Sequence, residues 1–301
     1  MHIPVLLKET IEGLNLKEGG TYVDATVNRG GHSKEIAKKI GKSGTLICID
    51  LDQSALDEAK TNLEKIKNHP TFYFVNSNFR HLTSILKSLN IKEVDGIIAD
   101  LGLSSQELDI SGRGFSFKGE EPLLMTFLDK PDEDTLTAKD IVNTWSEENI
   151  ANILYGFADE KYSRRIAHAI IKRRSLNEIK TTKDLVSCIE KAFPSSYKFG
   201  KVHFATKTFQ ALRMAVNDEL NSIKDLILSA NNYLKIGGRI CLITFHSTED
   251  RIVKQELRKY EDSFKIIKKK AIITSDEEIK ENPRSRSAQL RIAEKYESIK
   301  I

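Results

Sequence analysis

The sequence predicts an α/β fold, with a doubly wound parallel sheet that is interrupted by an inserted all-helical domain. In the first hundred residues, short β-rich or apolar runs alternate with helical patterns, as expected for parallel βαβ units. Between residues 137 and 194 the pattern is helical throughout, with no strand candidate. The alternation of helices and strands then returns and continues to the end of the chain.

The predicted strands differ in character along the chain. The first four are short apolar or β-rich runs, and a continuous apolar run is typical of a strand buried on both faces: residues 21–26, 45–50, 71–76 and 94–100. A fifth apolar run, residues 239–245, follows a turn at Gly237-Gly238. Residues 264–269 and 289–295 alternate polar and apolar side chains, which indicates an antiparallel pair at a sheet edge.

Capping residues predict where several helices begin. A helix over residues 33–39 follows the first strand, and Ser54 is expected to cap the helix after the second. In the helical stretch, Ser146 and either Thr181 or Thr182 are cap candidates. We therefore predict an α/β domain made of residues 1–110 and 204–301, and a helical insertion made of residues 111–203.

The composition is that of a soluble globular protein. The chain has 301 residues, of which 40% are hydrophobic and 30% charged, so it can bury a sizeable core. Its net charge of +4 permits a polyanionic partner without requiring one. No signal peptide or membrane span is predicted, since Lys8 and Glu9 interrupt the apolar start, and the cytoplasm is the expected location.

The three cysteines predict neither a redox motif nor a metal site. Cys48 and Cys241 lie inside apolar runs, where free cysteine behaves as a small buried hydrophobe. The spacing of these two residues and Cys188 contains no CxxC motif. We expect no metal.

The first candidate site is the turn that follows the first strand. Gly30 and Gly31 lie between that strand and a helix, and glycine lets a ligand approach the backbone closely. Ligands of open α/β sheets bind beyond the carboxyl ends of the strands. The turn could equally be a simple strand-to-helix connection. The GxGxxG fingerprint is absent, which disfavours a nicotinamide-dependent oxidoreductase.

Further candidates stand at the ends of the next strands. Asp50 ends the second strand, where a carboxylate can accept both hydroxyls of a ribose, and Asp52 is its alternative. Phe79 follows the third strand and either stacks on an adenine ring or belongs to the core. Asp100 ends the fourth strand, and His246 follows the fifth. Each has an ordinary structural explanation alone, but together they favour a nucleoside-containing ligand.

Two basic segments are candidate contacts for RNA phosphates. Residues 161–174 and 251–270 are rich in Lys and Arg, and Arg284 and Arg286 add to them. A solvated helix face is the alternative explanation for each segment, because charge alone does not specify a ligand.

The chain resembles the MraW family of bacterial small-subunit ribosomal RNA methyltransferases. The resemblance spans nearly the whole chain in the family's order, and the segments that carry it include Arg29-Gly30-Gly31-His32-Ser33, Asp100-Leu101-Gly102, Arg113-Gly114-Phe115-Ser116-Phe117, Thr208-Phe209-Gln210-Ala211-Leu212-Arg213, Phe245-His246-Ser247 and Asn282-Pro283-Arg284-Ser285-Arg286-Ser287.

The resemblance implies a seven-stranded, Rossmann-like class I methyltransferase sheet whose helical insertion recognises the substrate. It implies N4-methylation of a cytidine in the decoding region of 16S rRNA, with S-adenosyl-L-methionine as donor. The implied partner is 16S rRNA in the small ribosomal subunit, rather than DNA or a membrane. The family's cofactor positions correspond here to Gly30, Gly31, His32, Asp50, Phe79, Asp100 and Glu107. For catalysis, Ser104 and His246 are the candidates to accept hydrogen bonds from the target amine.

The chain departs from the family's pattern in two places. Leu124, Thr126 and Leu128 replace two acids and an arginine, and Asn28 replaces a glycine in the first loop. The lost polar groups leave open an alternative function, a non-catalytic or altered-specificity RNA-binding factor in ribosome assembly.

Overall fold

The computed structural model describes residues 4–103, 111–194 and 203–297. The chain forms two compact units. One contains Met1–Gly102 and Leu220–Ile301, and the other contains Leu103–Glu219.

The first unit is built on a mostly parallel sheet. Its strands are β1 (Thr21–Asp24), β2 (Thr45–Asp50), β3 (Thr71–Asn76), β4 (Val94–Asp100), β5 (Leu234–Thr244), β6 (Phe264–Ile266), β7 (Ile272–Ile273) and β8 (Gln289–Lys295). They lie in the order β3-β2-β1-β4-β5-β8-β6, and β7 pairs with β8. Strands β1 to β5 are parallel, whereas β8 runs antiparallel to β5 and β6. The predicted doubly wound α/β sheet is confirmed, and among the described residues the short strand β7 adds to the seven strands that the family resemblance implied.

The helices, in chain order over the described residues, are α1 (Leu7–Gly13), α2 (Gly31–Ile40), α3 (Gln53–Leu63), α4 (Leu82–Ser88), α5 (Ala138–Thr144), α6 (Glu147–Ala158), α7 (Ser163–Arg174), α8 (Thr182–Ala192), α9 (Thr206–Val216), α10 (Glu219–Tyr233), α11 (Ser247–Lys259) and α12 (Asp276–Glu281). In the part of the chain that the structure describes, no helix has the length and hydropathy needed to cross a bilayer.

Apolar side chains cover both faces of the sheet, which explains the continuous apolar runs of the strands. Ile47 and Ile97 pack in one core with residues of α4, α10 and α11. Leu46 and Ile98, which alternate with them along the same strands, pack in a second core with residues of α1, α2 and α3. Cys48 and Cys241 are fully buried in this second core, as expected for free cysteines in apolar runs.

The strand order places the switch point between β1 and β4. From β1 the chain continues outward to β2 and β3, and it then returns to form β4 and β5 on the other side. At such a point the two neighbouring connections leave in opposite directions, so a crevice opens beyond the carboxyl ends of the strands. The carboxyl ends of β1, β2 and β4, which carry Asp24, Asp50 and Asp100, lie at this switch point.

The second unit is helical and has its own core. Ile141, Leu154, Ile170, Ile189 and Leu212, from α5 to α9, are completely buried in it. The predicted caps Ser146 and Thr181 accept hydrogen bonds from the backbone of the first turns of α6 and α8.

The unit boundaries differ from those predicted at residues 110 and 204. The helical unit includes α9, because Phe209 and Leu212 are buried in its core. The sequence pattern had assigned this helix to the α/β domain.

One local prediction was wrong. Asp52, not Ser54, caps α3, since its carboxylate accepts hydrogen bonds from the amides of Ser54 and Ala55. The predicted antiparallel pair at a sheet edge is confirmed, because β6 pairs antiparallel with β8 and is the last strand in the order of the sheet.

Candidate functional site

The loop after β1 is held by the buried carboxylate of Asp24. Asp24 Oδ2 accepts a hydrogen bond from Ser33 Oγ at 2.7 Å, which ties the end of β1 to the first turn of α2. Burial raises the pKa of Asp24 to about 6, although the hydrogen bonds from Ser33 and Thr26 oppose the shift. Asp24 begins the segment that the sequence indicated as the first candidate site, but no role was predicted for its side chain.

Backbone conformation and packing explain the two glycines of the loop. Gly30 has φ 81°, in the left-handed region that favours glycine, and it precedes α2 as its N-cap. A Cβ at Gly31 would lie 2.4 Å from Pro4 Cγ, so the absence of a side chain there lets the N-terminal segment pack against the turn.

His32 also faces the N-terminal segment. Its Nε2 lies 3.0 Å from the carbonyl oxygen of Val5, and the side chain is buried. The contact fastens the N-terminal segment to the turn. Whether His32 also contributes to a cofactor site, as the family resemblance implies, stays a prediction.

Asp50 is held at the end of β2 by two backbone amides. Oδ2 accepts a hydrogen bond from the amide of Asn28 at 2.7 Å, and Oδ1 accepts one from the amide of Asp52 at 3.0 Å. Burial nevertheless raises the pKa of Asp50 to about 6. Since each carboxylate oxygen has a second lone pair, Asp50 can still accept hydrogen bonds from a diol. Asp52, the alternative, is occupied as the cap of α3.

Asp100, at the end of β4, has an unsatisfied carboxylate oxygen. Its backbone amide donates to Thr26 Oγ1 at 2.6 Å, which joins the ends of β1 and β4. Oδ1 is buried and has no hydrogen-bond partner in the described part of the chain. Burial, followed by the nearby charges of Asp24 and Glu249, raises the pKa of Asp100 to about 8. A buried oxygen of this kind is costly to leave unpaired and is suited to bind a donor group of a ligand.

His246 caps α11 and contacts a buried acid. Its Nδ1 accepts a hydrogen bond from the amide of Glu249 at 3.3 Å, and its Nε2 lies 3.0 Å from Glu249 Oε1. Glu249 is 1% exposed, and its Oε2 accepts a hydrogen bond from the amide of Phe245 at 2.8 Å. The burial of Glu249 beside His246 was not predicted from the sequence.

The remaining predicted residues are Phe79, Ser104 and Glu107. Phe79 begins a 3-10 turn after β3 and is half-buried against one core of the sheet. Ser104 and Glu107 fall outside the described residues.

The site that emerges is an acidic cluster rather than a set of separate strand ends. Besides burial, the negative charge of Asp24 raises the pKa of both Asp50 and Asp100, so these three side chains are close enough to interact electrostatically. The charge of Glu249 also raises the pKa of Asp100, and Glu249 therefore belongs to the same cluster. Buried carboxylates with raised pKa values are typical of functional sites, and a cationic ligand would relieve their mutual repulsion.

Comparisons with known proteins agree on one family. The model of the MraW methylase family matches residues 1–296. The protein named ribosomal RNA small subunit methyltransferase H from Brevibacillus brevis is 42% identical, with 98% of each chain covered. Proteins of the same name from Halothermothrix orenii and Clostridium botulinum are 44% and 45% identical over the same shares.

Among solved structures, the fold is similar to that of an rRNA methylase from Streptococcus thermophilus. The TM-score is 0.47 at 10% identity, and the alignment covers 99% of this chain and 100% of the other.

Proposed function

Because the chain belongs to the MraW methylase family, we propose that it methylates the RNA of the small ribosomal subunit with S-adenosyl-L-methionine as donor. The finer proposal is that the acceptor is N4 of one cytidine in the decoding region of 16S rRNA. The family supports the reaction class, and the acidic cluster at the switch point supports a cationic cofactor.

The observation that carries the proposal is Oδ1 of Asp100, which is buried and has no hydrogen-bond partner among the described residues. When bound, S-adenosyl-L-methionine supplies a methyl group on a positively charged sulfur, and it also carries an ammonium group. A cluster with Asp24, Asp50, Asp100 and Glu249 fits such a cation, because a positive charge beside Asp100 favours the ionised form of its carboxyl group, which burial and the neighbouring acids disfavour. The residues present therefore fit the group.

Each side chain of the cluster has a proposed role in holding the cofactor. Asp50 accepts hydrogen bonds from the ribose hydroxyls, using the lone pairs that the amides of Asn28 and Asp52 leave. Asp100 accepts a hydrogen bond from the ammonium group. Phe79 packs on the adenine ring, and the turn at Gly30 and Gly31 lets the backbone approach the cofactor.

The chain must also activate a weak nucleophile. The exocyclic amine of cytosine shares its lone pair with the ring, so the site has to align it with the methyl group and exclude water. Ser104, His246 and the backbone after Asp100 are the proposed acceptors for the amine's hydrogens. The target base has to leave its stack to enter the crevice, which costs least in single-stranded or junction RNA.

An alternative is a non-catalytic RNA-binding assembly factor. It is favoured by Leu124, Thr126 and Leu128, which replace polar residues of the family's pattern. In the structure Thr126 is buried and its Oγ1 accepts a hydrogen bond from the amide of Leu128 at 3.2 Å. This function predicts RNA binding without methyl transfer.

One assay separates these functions. The protein is incubated with S-adenosyl-L-methionine tritiated on its methyl group and with small ribosomal subunits from cells that lack the enzyme. We expect label on N4 of a single cytidine of 16S rRNA. Label on another atom would refute the finer proposal, and RNA that is bound but never labelled would establish the assembly factor.

A further inference from the structure

The helical unit contains a basic groove that the proposed chemistry does not use. It lies between α7 and α8 and has a volume of about 600 Å³. We call it the α7–α8 groove, and its basic lining side chains are Arg164, Arg165, His168, Lys172, Arg173 and Lys191. Among the described residues, no acidic side chain lines it.

The charge of the groove is only partly compensated. Arg173 pairs with Asp184 at 3.3 Å. In contrast, Arg164, Lys172 and Lys191 are exposed and have no ion pair with any side chain in the described ranges. These three side chains therefore present uncompensated positive charge to a ligand in the α7–α8 groove.

The helical period arranges the basic residues in line. Arg165, His168 and Lys172 recur at intervals of three and four along α7, so they share one face of that helix. Arg164 and Lys172 are separated by about 12 Å along the axis, at 1.5 Å per residue. Lys191 approaches from α8. A row of cations of this length suits a chain of phosphates better than one small anion.

The floor of the groove is apolar. It contains Ala169, Cys188 and Ala192, together with Leu176, whose side chain is 74% exposed. An exposed leucine beside cations is a suitable surface for the face of an unstacked base. Duplex RNA presents its phosphates outward and keeps its bases stacked, so it would leave this floor uncovered.

We propose that the α7–α8 groove binds a single strand of the substrate RNA. Arg164, Lys172 and Lys191 hold its phosphates, and the apolar floor receives an unstacked base. The inference rests on the proposed function and deepens it, because it assigns the RNA strand to a groove of the helical unit.

The experiment compares two variants with equal loss of charge. The groove variant carries Arg164→Gln, Lys172→Gln and Lys191→Gln. The control variant carries Lys65→Gln, Lys67→Gln and Lys87→Gln, three exposed lysines without an ion pair in the described part of the chain. Lys65 and Lys67 precede β3, and Lys87 precedes β4. All three are therefore near the amino-terminal ends of these strands, whereas the candidate site is at the carboxyl ends.

The first readout is the salt dependence of binding to a labelled single-stranded fragment of small-subunit rRNA. Each lost phosphate contact lowers the slope of log K against log salt by about 0.7 for a single strand. We expect the magnitude of this slope to be smaller by about two in the groove variant than in the wild type. The control variant should have the same slope as the wild type. Cofactor affinity, measured by calorimetry, should be the same in all three proteins.

A second readout uses the wild-type chain and so does not depend on how a variant folds. Lysine acetylation is mapped by mass spectrometry with and without the RNA fragment. We expect RNA to protect Lys172 and Lys191 at least several-fold, and to leave Lys65, Lys67 and Lys87 unchanged.

The outcomes separate this inference from the proposed function. Two results would refute RNA binding by the groove: equal slopes for the groove and control variants, or equal acetylation of Lys172 with and without RNA. Neither result would affect the proposal that the wild type transfers a methyl group. A groove that captures an acidic peptide but not RNA would also overturn it. If the wild type transfers no methyl group but only the groove variant loses RNA binding, RNA binding by the groove is supported and the enzymatic function is refuted.

Discussion

The backbone amide of Asn28 donates a hydrogen bond to Asp50 Oδ2 at 2.7 Å, which ties the loop after β1 to the end of β2. Asn28 makes this contact with φ 47°, in the left-handed region. Asparagine is one of the few residues other than glycine that adopt this conformation readily. The departure from the family's glycine at this position therefore preserves the geometry of the loop.

Substitution of Asn28 tests this conformational requirement. Asn28→Ala should lower the free energy of unfolding by roughly 1–2 kcal/mol and weaken cofactor binding, because alanine resists the left-handed conformation. Asn28→Gly should retain both properties nearly unchanged. Denaturant unfolding and calorimetry measure the two effects. Equal behaviour of the alanine and glycine variants would show that φ at this position does not matter.

The neighbouring aspartates Asp50 and Asp52 should differ sharply in function. Asp50→Ala should raise the Kd of S-adenosyl-L-methionine by about a hundred-fold or more, because charge-assisted hydrogen bonds to the ribose are lost. Asp52→Ala removes only the cap of α3 and should cost about 1 kcal/mol of stability with little change in Kd. Calorimetry on both variants checks this, and unchanged affinity for Asp50→Ala would refute the ribose assignment.

The raised pKa of Asp100 predicts how stability depends on pH. A carboxyl group whose pKa rises from 3.8 to about 8 in the folded chain favours folding while it is protonated. This contribution is fully present below the unfolded pKa and is lost as pH rises through about 8. The ligand-free wild type should therefore lose stability between pH 5 and pH 9, as assessed by chemical denaturation.

The variant Asp100→Asn is the control for this pH dependence. It cannot ionise, so its unfolding free energy should fall less over the same range, and it should be the more stable protein at pH 9. It should also bind S-adenosyl-L-methionine poorly, because a neutral amide does not attract the ammonium group. If the unfolding free energies of the wild type and Asp100→Asn changed with pH in parallel, the assignment of this pH dependence to Asp100 would be contradicted.

His246 is expected to contribute to methyl transfer beyond its role as a cap. His246→Ala should slow transfer more than it weakens cofactor binding, and should cost about 1 kcal/mol through the lost cap. His246→Asn keeps a capping oxygen but loses the ring nitrogen that lies 3.0 Å from Glu249. Its stability should recover while the rate stays low. Full recovery of the rate would limit His246 to capping.

The sequence was most informative about features that depend on local pattern. The apolar runs predicted strands that end in Asp50 and Asp100, and the parallel arrangement predicted that these ends lie at one edge. The caps at Ser146 and Thr181 followed from residue type and spacing. These features are short-range, so one segment of chain specifies each of them.

Features created by long-range contacts could not be predicted. Asp24 and Glu249 belong to the cluster because the strand order buries them beside Asp100. The packing of Pro4 on Gly31 joins segments that are distant in the sequence, so the pattern around that glycine did not predict it. Likewise, the place of α9 in the helical unit depends on packing that periodicity does not encode.

The most direct test of the account is a crystal structure of this chain with S-adenosylhomocysteine, the product of methyl transfer. We expect the ribose hydroxyls within hydrogen-bond distance of Asp50, and the amino group within hydrogen-bond distance of Asp100 Oδ1. A product bound away from the ends of β1, β2 and β4, with both carboxylates unengaged, would contradict the claim that this acidic cluster binds the cofactor.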